Sequence, residues 1–244
     1  MSKLILLIID LFDFWHKKKI LNFLKKNDHN QFNTVFDVGA HKGESINLFI
    51  KNFNIDKIYS FEASPVNFNK LKEKTKKMIS KDASLKTKIV IENIAIGSKN
   101  EKSMLKQITE SSSSTLSNIN LKSRYFNKKK MLLNFFSKKE YFYDIEVEVK
   151  TLEYYLDHKN INNINFLKID TEGFEYEVLL GLKKKIKKVK LILFEHHYDD
   201  MIKKDYTFGD INFLLKSNNF MQIYKSKMPF RKTFEYIYIN KSKK

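Results

Sequence analysis

The feature that most restricts this chain is an alternation of short apolar runs with helical patterns, beginning at Thr34. Thr34–Phe36 predicts a strand ending at Asp37, and Glu44–Phe53 a helix. Lys57–Phe61 predicts a second strand ending at Glu62, with a helix over Val66–Met78, and Lys88–Ile96 a third strand followed by Gly97. After a break the alternation resumes with helix Leu152–His158, strand Ile164–Ile169, helix Phe174–Leu182 and strand Val189–Phe194. Successive strands joined by helices pair in parallel, so the expected fold is α/β, with a mostly parallel central sheet and helices on both faces. A helix near Asp210–Ser217 and two aromatic strands, Phe220–Tyr224 and Phe234–Ile239, predict a C-terminal antiparallel hairpin.

The break, residues 101–150, holds the Ser-rich stretch Ser111–Ser114, the basic run Lys128–Lys130 and an alternating strand Ile145–Val149. It reads as an insertion that lies over the site. With 244 residues and no internal repeat or linker, residues 31–244 are expected to form one domain, preceded by a helical segment over residues 1–30. Within that segment Leu4–Ile9, Leu11, Phe12, Phe14 and Trp15 are apolar, but Asp10 and Asp13 interrupt them, well short of the roughly 20 residues that span a bilayer. The expectation is a helix packed on the domain. The alternative is peripheral membrane contact through residues 1–26, with Lys17, Lys18 and Lys19 against anionic headgroups. There is no cysteine, which excludes disulfides, thiolate-bound zinc and a cysteine nucleophile, and fits a cytoplasmic location.

Two of the six glycines lie in Asp37-Val38-Gly39-Ala40-His41-Lys42-Gly43-Glu44, where a strand ends and a helix begins. Glycine permits positive φ and lets a ligand approach the backbone. Dinucleotide folds use G-x-G-x-x-G to place a pyrophosphate at the helix start. Here the spacing is G-x-x-x-G, and Asp37 and Glu44 would repel a pyrophosphate. The same charges suit the ammonium and sulfonium of S-adenosyl-L-methionine. Asp37, Gly39, Ala40, Gly43 and Glu44 are therefore candidate cofactor residues. Glu62 ends the second strand, close to the spacing at which an acid meets a ribose, and can accept from both ribose hydroxyls. Asn93 and Ala95 follow where the adenine would lie.

At the far end, Asp170-Thr171-Glu172-Gly173 follows the fourth strand, and the fifth ends in Glu195-His196-His197. These are neighbouring carboxyl ends, where open α/β sheets hold ligands. Methyl transfer to a hydroxyl needs in-line approach and removal of a proton, for which Asp170, His196, Glu172 and Glu195 are candidates, Asp170 first. A divalent ion held by Asp170 with Glu172 or Glu195 is the competing account. Lys168 should lie on the same strand face as Asp170 and, inside a buried strand, pair with a carboxylate.

The chain resembles the FkbM family of methyltransferases in Phe36-Asp-Val-Gly-Ala-His-Lys-Gly-Glu44, Phe61-Glu-Ala-Ser-Pro65, Asn93-Ile-Ala95, Ser113-Ser-Thr-Leu116 and Leu167-Lys-Ile-Asp-Thr-Glu-Gly-Phe-Glu175. The resemblance runs from about Thr34 to His196 and implies a Rossmann-like class I methyltransferase fold. It also implies S-adenosylmethionine as donor and a sugar, glycan or other small-molecule hydroxyl as acceptor. It supports Asp37, Gly39 and Gly43 for the methionine part and Glu62 for the ribose. The chain departs from the family pattern where Glu62-Ala63-Ser64-Pro65 replaces Glu-Pro, and the Ser-rich match is loose.

The formal charge of +18, from 46 Lys+Arg against 28 Asp+Glu, raises nucleic acid as an alternative partner. Yet Arg, the usual reader of guanine and phosphate, occurs only at Arg124 and Arg231. There is no Asn/Asp-Pro-Pro-Tyr after the fourth strand. A ribose 2′-hydroxyl acceptor and a non-catalytic basic module are the readings left beside a small-molecule O-methyltransferase.

Overall fold

The computed structural model describes residues 2–108, 114–124, 126–127 and 142–243, without the side chains of residues 2–12 and 14. Ser111–Ser113, Lys128–Lys130 and the side chains of Leu4–Ile9, Leu11, Phe12 and Phe14 lie outside the described residues.

Helix α1, Ser2–Lys26, precedes strand β1, Gln31–Val38. Helix α2 (Glu44–Asn52), strand β2 (Asn54–Phe61), helix α3 (Pro65–Lys81), a short helix α4 (Leu85–Lys88) and strand β3 (Ile89–Glu92) follow. Local chemistry sets these boundaries. Ser64 caps α3 by accepting the Asn67 N–H at 3.2 Å, with Pro65 in the first turn, where its missing N–H costs nothing.

The later core elements are strand β9 (Ile164–Ile169), helix α6 (Glu175–Leu180), strand β10 (Val189–His197), helix α7 (Phe208–Ser217), strand β12 (Phe220–Lys227) and strand β13 (Thr233–Asn240). Helix α5, Leu152–His158, enters β9 and is capped by Thr151. The seven-stranded sheet has the order β12-β13-β10-β9-β1-β2-β3. Strand β13 inserts antiparallel between β10 and β12, whereas β10, β9, β1, β2 and β3 are parallel. The fold is thus Rossmann-like class I, with the sheet, flanking helices and hairpin that the alternation predicts.

Apolar side chains leave the sheet on both faces. On one, Phe36, Leu167, Ile192, Phe194 and Tyr236 pack with residues of α5, α6 and α7. On the other, Val35, Phe166, Leu191, Leu193 and Ile237 pack with α2, α3 and the second half of α1. Ile20, Leu21 and Leu24 of α1 are buried there, so α1 is fastened to the sheet by its later turns. Among the described residues, no helix is long and apolar enough to cross a membrane.

The third strand is shorter than expected. Lys88 ends α4, β3 stops at Glu92, and Ala95–Ile96 (β4) leaves the main sheet to pair with β8, Phe142–Lys150. Glu92 and Asn93 interrupt the apolar run Ile89–Ile96 at the point where the partner changes. With β5 (Glu101–Ile108) and β6 (Ser114–Thr115), these strands form a second sheet in the order β4-β8-β5-β6. A small ladder joins β7 (Asn118–Ile119) to β11 (Ile202–Lys203). Thr115 Oγ1 donates to the Glu172 carbonyl at 2.7 Å and Ser117 Oγ to that of Gly173 at 2.8 Å. This part of the 101–150 segment therefore rests directly on the loop after β9.

Candidate active site

A cavity of about 430 Å³ opens at the carboxyl ends of the parallel strands, within the size range of small-molecule sites. Its first wall is the turn after β1. Gly39 holds φ +79°, and a Cβ there would lie 1.8 Å from the Asp170 carbonyl oxygen. Only glycine lets the turn pass so close to the end of β9. The N–H groups of Gly39 and Ala40 both donate to the Phe61 carbonyl, at 3.0 and 2.9 Å. These amides are satisfied within the protein, and the turn offers a ligand a wall of small residues.

Glu62 stands beside it, 4% exposed. Its Oε2 accepts the His41 N–H at 2.8 Å and its Oε1 the Ser64 N–H at 2.9 Å. The carboxylate is locked in place while each oxygen keeps a lone pair for a further donor. Burial raises its pKa, against the opposing pull of those two N–H groups. Ala63, Ile94, Ala95 and Ile96 continue the wall. Asn93 does not line the cavity; its side-chain amide donates to the carbonyls of Glu62 and Ala63, at 2.8 and 3.2 Å, and holds that wall from behind. Glu44 lines the cavity, whereas Gly43 lies outside it against Leu71. The Glu44 pKa is lowered to about 2: burial would raise it, but the hydrogen bond from His41 and its own backbone outweigh that.

Asp37 is completely buried beneath the turn and also does not line the cavity. It accepts from Ser45 Oγ and pairs with Lys168 Nζ at 3.1 Å. Lys168 also reaches Asp170 at 3.4 Å and donates to the Gly39 carbonyl at 2.9 Å. The expected pairing is therefore to two carboxylates. They raise the lysine pKa although burial alone would lower it. In return Asp170 is held below the ordinary carboxylate range: burial opposes this, but Lys168, then Lys17 and His197, prevail.

Alternation along β10 then decides which acids and imidazoles meet. Leu193 and Glu195 share the cavity face, whereas His196 lies with Phe194 on the opposite face. There His196 is 3% exposed among the rings of Tyr198, Tyr206 and Phe208. Burial, with Lys204 and His197 adding to it, lowers its pKa to about 3. The expectation that His196 joins the reacting groups is thus corrected: strand parity turns it away. The neighbouring imidazole is that of His197, whose Nε2 lies 3.0 Å from Glu195 and 3.5 Å from Glu172. Burial would lower the His197 pKa, but Asp199, Glu195 and Glu172 raise it well above the ordinary value. Glu195 is raised to about 7, first by burial and then by the Asp170 charge. Asp170, Glu172 and Glu195 all line the cavity. Among the described residues, no group of three or more side chains is arranged to hold a metal ion.

Several lining residues were not read from the sequence. Asp13, Lys17, Ile20 and Leu21 come from α1, and Met228, Arg231 and Glu235 from the hairpin. Arg231 pairs with Asp13 at 2.7 Å and His16 with Glu235 at 2.5 Å. Glu235 stands opposite Glu195 in the β10–β13 ladder. Glu175, at the start of α6, is a further structural acid. It gathers the Thr171 and Gly173 N–H groups at 3.3 and 2.9 Å and the Tyr206 hydroxyl at 2.6 Å, and so fixes the loop after β9.

A mostly parallel sheet with an antiparallel strand inserted at its edge is the class I methyltransferase architecture. Residues 37–221 match the methyltransferase FkbM domain, and the chain belongs to that family of S-adenosylmethionine-dependent methyltransferases. Among solved structures, it is similar to the FkbM methyltransferase of Methylobacillus flagellatus KT, with 14% identity and a TM-score of 0.52, covering 86% of this chain and 44% of that one. The chain thus spans less than half of that relative. It is also similar to magnesium protoporphyrin IX methyltransferase from Synechocystis PCC 6803 with bound SAM, at 8% identity and a TM-score of 0.53, covering 95% of this chain and 81% of that one. TrmK of M. capricolum in complex with S-adenosylhomocysteine gives 14% identity and a TM-score of 0.51, over 91% of this chain and 68% of that one. At these identities the likeness is one of fold. A search of curated proteins found no match.

Proposed function

We propose that this protein transfers a methyl group from S-adenosylmethionine to a hydroxyl of a sugar, glycan or other small molecule. The observation that carries the reading is the union, in one cavity, of the Glu62 wall with the Asp170, Glu172 and Glu195 carboxylates. The residues present fit the donor. Glu62 offers two oxygens to paired ribose hydroxyls, Ile94, Ala95 and Ile96 give an apolar bed for a base, and Glu44 is a fixed anion for an ammonium. When bound, the donor supplies a methyl group on a positively charged sulfur.

The remaining work falls to the chain. A hydroxyl must lose its proton as its oxygen forms the new bond, and a base is most effective when its pKa lies near the working pH. Glu195, raised to about 7, meets that condition better than Asp170, which Lys168 keeps ionised. We therefore assign Glu195 the acceptor proton, while Asp170 contributes fixed negative charge and His197, which also meets Glu172, orients Glu195. Seven acids line the cavity (Asp13, Glu44, Glu62, Asp170, Glu172, Glu195 and Glu235) against Lys17, His41, Lys168 and Arg231. That balance, opposite to the charge of the whole chain, disfavours a polyphosphate strand inside it.

The test is a screen of oligosaccharides, nucleotide sugars and RNA with labelled donor. Methylation of a glycan hydroxyl is expected, and a tight RNA complex that stimulates transfer would overturn the assignment. With the acceptor found, Glu195→Gln should lower kcat by about 10²–10⁴ while S-adenosylhomocysteine affinity stays within a few fold. A larger loss in Asp170→Asn with Glu195→Gln active would return the base to Asp170. Loss with a chelator and rescue by magnesium would replace both.

A further inference from the structure

We infer that Lys17 of α1 binds the carboxylate of the donor's amino-acid end, which makes the N-terminal helix a part of the donor site. The inference rests on the reading of this cavity as an S-adenosylmethionine site. That donor ends in a zwitterion, and the two charges face unequal prospects here. The ammonium has several carboxylates within the cavity to choose from, Glu44 among them. The carboxylate enters a wall in which acids outnumber bases and needs a cation to offset both desolvation and repulsion.

Four basic side chains line the cavity, and three are already engaged. Lys168 is held by Asp37, Asp170 and the Gly39 carbonyl. Arg231 is paired with Asp13 at 2.7 Å, and His41 with Glu44 at 3.3 Å. Lys17 forms no ion pair with any described carboxylate, yet it lines the same cavity as Gly39, Ala40 and Glu44. It also lies near enough to Asp170 for its charge to help hold that carboxyl ionised. Ile20 and Leu21, in the next turn, are 3% and 4% exposed in the core against the sheet, so the backbone that carries Lys17 is fixed. The ammonium at the end of a flexible stem can then move from water to an incoming anion without a rearrangement of the helix.

The experiment compares two ligands on the full chain by titration calorimetry. S-adenosylhomocysteine carries the amino-acid end, and methylthioadenosine lacks it while keeping the sugar, base and sulfur. Lys17→Met should weaken S-adenosylhomocysteine by about tenfold or more, and leave methylthioadenosine within about twofold. Lys17→Arg should recover most of the loss, and Lys19→Met, on the exposed side of the same helix, should leave both affinities unchanged. Circular dichroism of each variant confirms the fold, and Trp15, the sole tryptophan, gives an independent fluorescence reading two residues away. Unchanged S-adenosylhomocysteine affinity in Lys17→Met, or an equal loss for both ligands, overturns the assignment while the donor reading stands. Binding of neither ligand by the unaltered protein overturns the donor reading itself and this inference with it.

Discussion

The two walls of the cavity are made in different ways. The donor wall, formed by Gly39, Ala40, Glu62, Ala63 and Ala95, comes from the ends of adjacent strands and is held by backbone hydrogen bonds. The far wall, formed by Asp13, Arg231 and Glu235, joins the first helix to the last hairpin and is held by side-chain ion pairs. The family match, residues 37–221, contains the first wall and none of those three residues. A site made of rigid backbone suits a ligand common to many enzymes. One made of charged side chains from the chain's two ends is free to vary with the acceptor.

The contrast predicts that substitutions in the donor wall cost most. Gly39→Ala puts a methyl group 1.8 Å from a backbone oxygen at a φ of +79°. It should lower unfolding free energy by about 2–5 kcal/mol, combining left-handed strain with overpacking. Urea denaturation measures it. A loss below about 1 kcal/mol would show that the turn can retreat and that this wall is softer than its geometry implies.

Next in size is Glu62→Gln. The amide keeps the shape but loses the charge that strengthens its hydrogen bonds, each worth about 1.5–3 kcal/mol. S-adenosylhomocysteine affinity should fall by about ten- to a hundredfold in calorimetry. Affinity within twofold, with the fold intact, would remove Glu62 from the donor site and leave it as a brace for His41 and Ser64.

The difference between the walls also explains what could be read from sequence. Strand Ile164–Ile169 and helix Leu152–His158 are found where the apolar periodicity put them, because period and capping are local. Glu62 and Gly39 stand out because a strand end and a turn identify them. Glu195 and His196 are both eligible in the sequence although only one can face the cavity, because the side of a strand depends on parity, which the sequence leaves open until one contact is known. Asn93 carries an amide suited to a ligand but spends it on two carbonyls more than 25 residues upstream in the chain. The far wall was invisible for a stronger reason: Asp13 and Arg231 meet across 218 positions, and no local pattern encodes such a pair.

The third effect lies at the junction of the walls, where Glu195 faces Glu235. A folded pKa of about 7 lies above the ordinary value of about 4.3 for an unfolded glutamate. Between those values the folded state binds more protons than the unfolded one, so this group's contribution to stability falls as pH rises. The slope attributable to Glu195 is at most about 1.4 kcal/mol per pH unit. Glu195→Gln should flatten the stability profile between about pH 4.5 and 7. An unchanged profile in thermal or urea melts would mean that Glu195 titrates normally, and would weaken its assignment as the base.

The smallest effect belongs to the far wall. Asp13 and Arg231 are joined at 2.7 Å, but their side chains remain 23% and 33% exposed. Such a pair exchanges water for a partner at little net gain, about 0.2–1 kcal/mol in comparable cases. A double-mutant cycle of Asp13→Asn and Arg231→Gln should therefore give a coupling of that size in urea denaturation. Donor affinity should stay within about twofold in every variant, because Asp13 and Arg231 are paired with each other and neither belongs to the backbone-built wall. The acceptor KM, once an acceptor is in hand, should rise in both single variants, and kcat should change less, since neither side chain is ion-paired with Glu195, the residue proposed to take the proton. A coupling above about 2 kcal/mol would show the far wall to be as integral to the fold as the donor wall. Donor affinity that fell in step with the ion pair would show that Asp13 and the hairpin close on the donor as well, and the division between the two walls would then be lost.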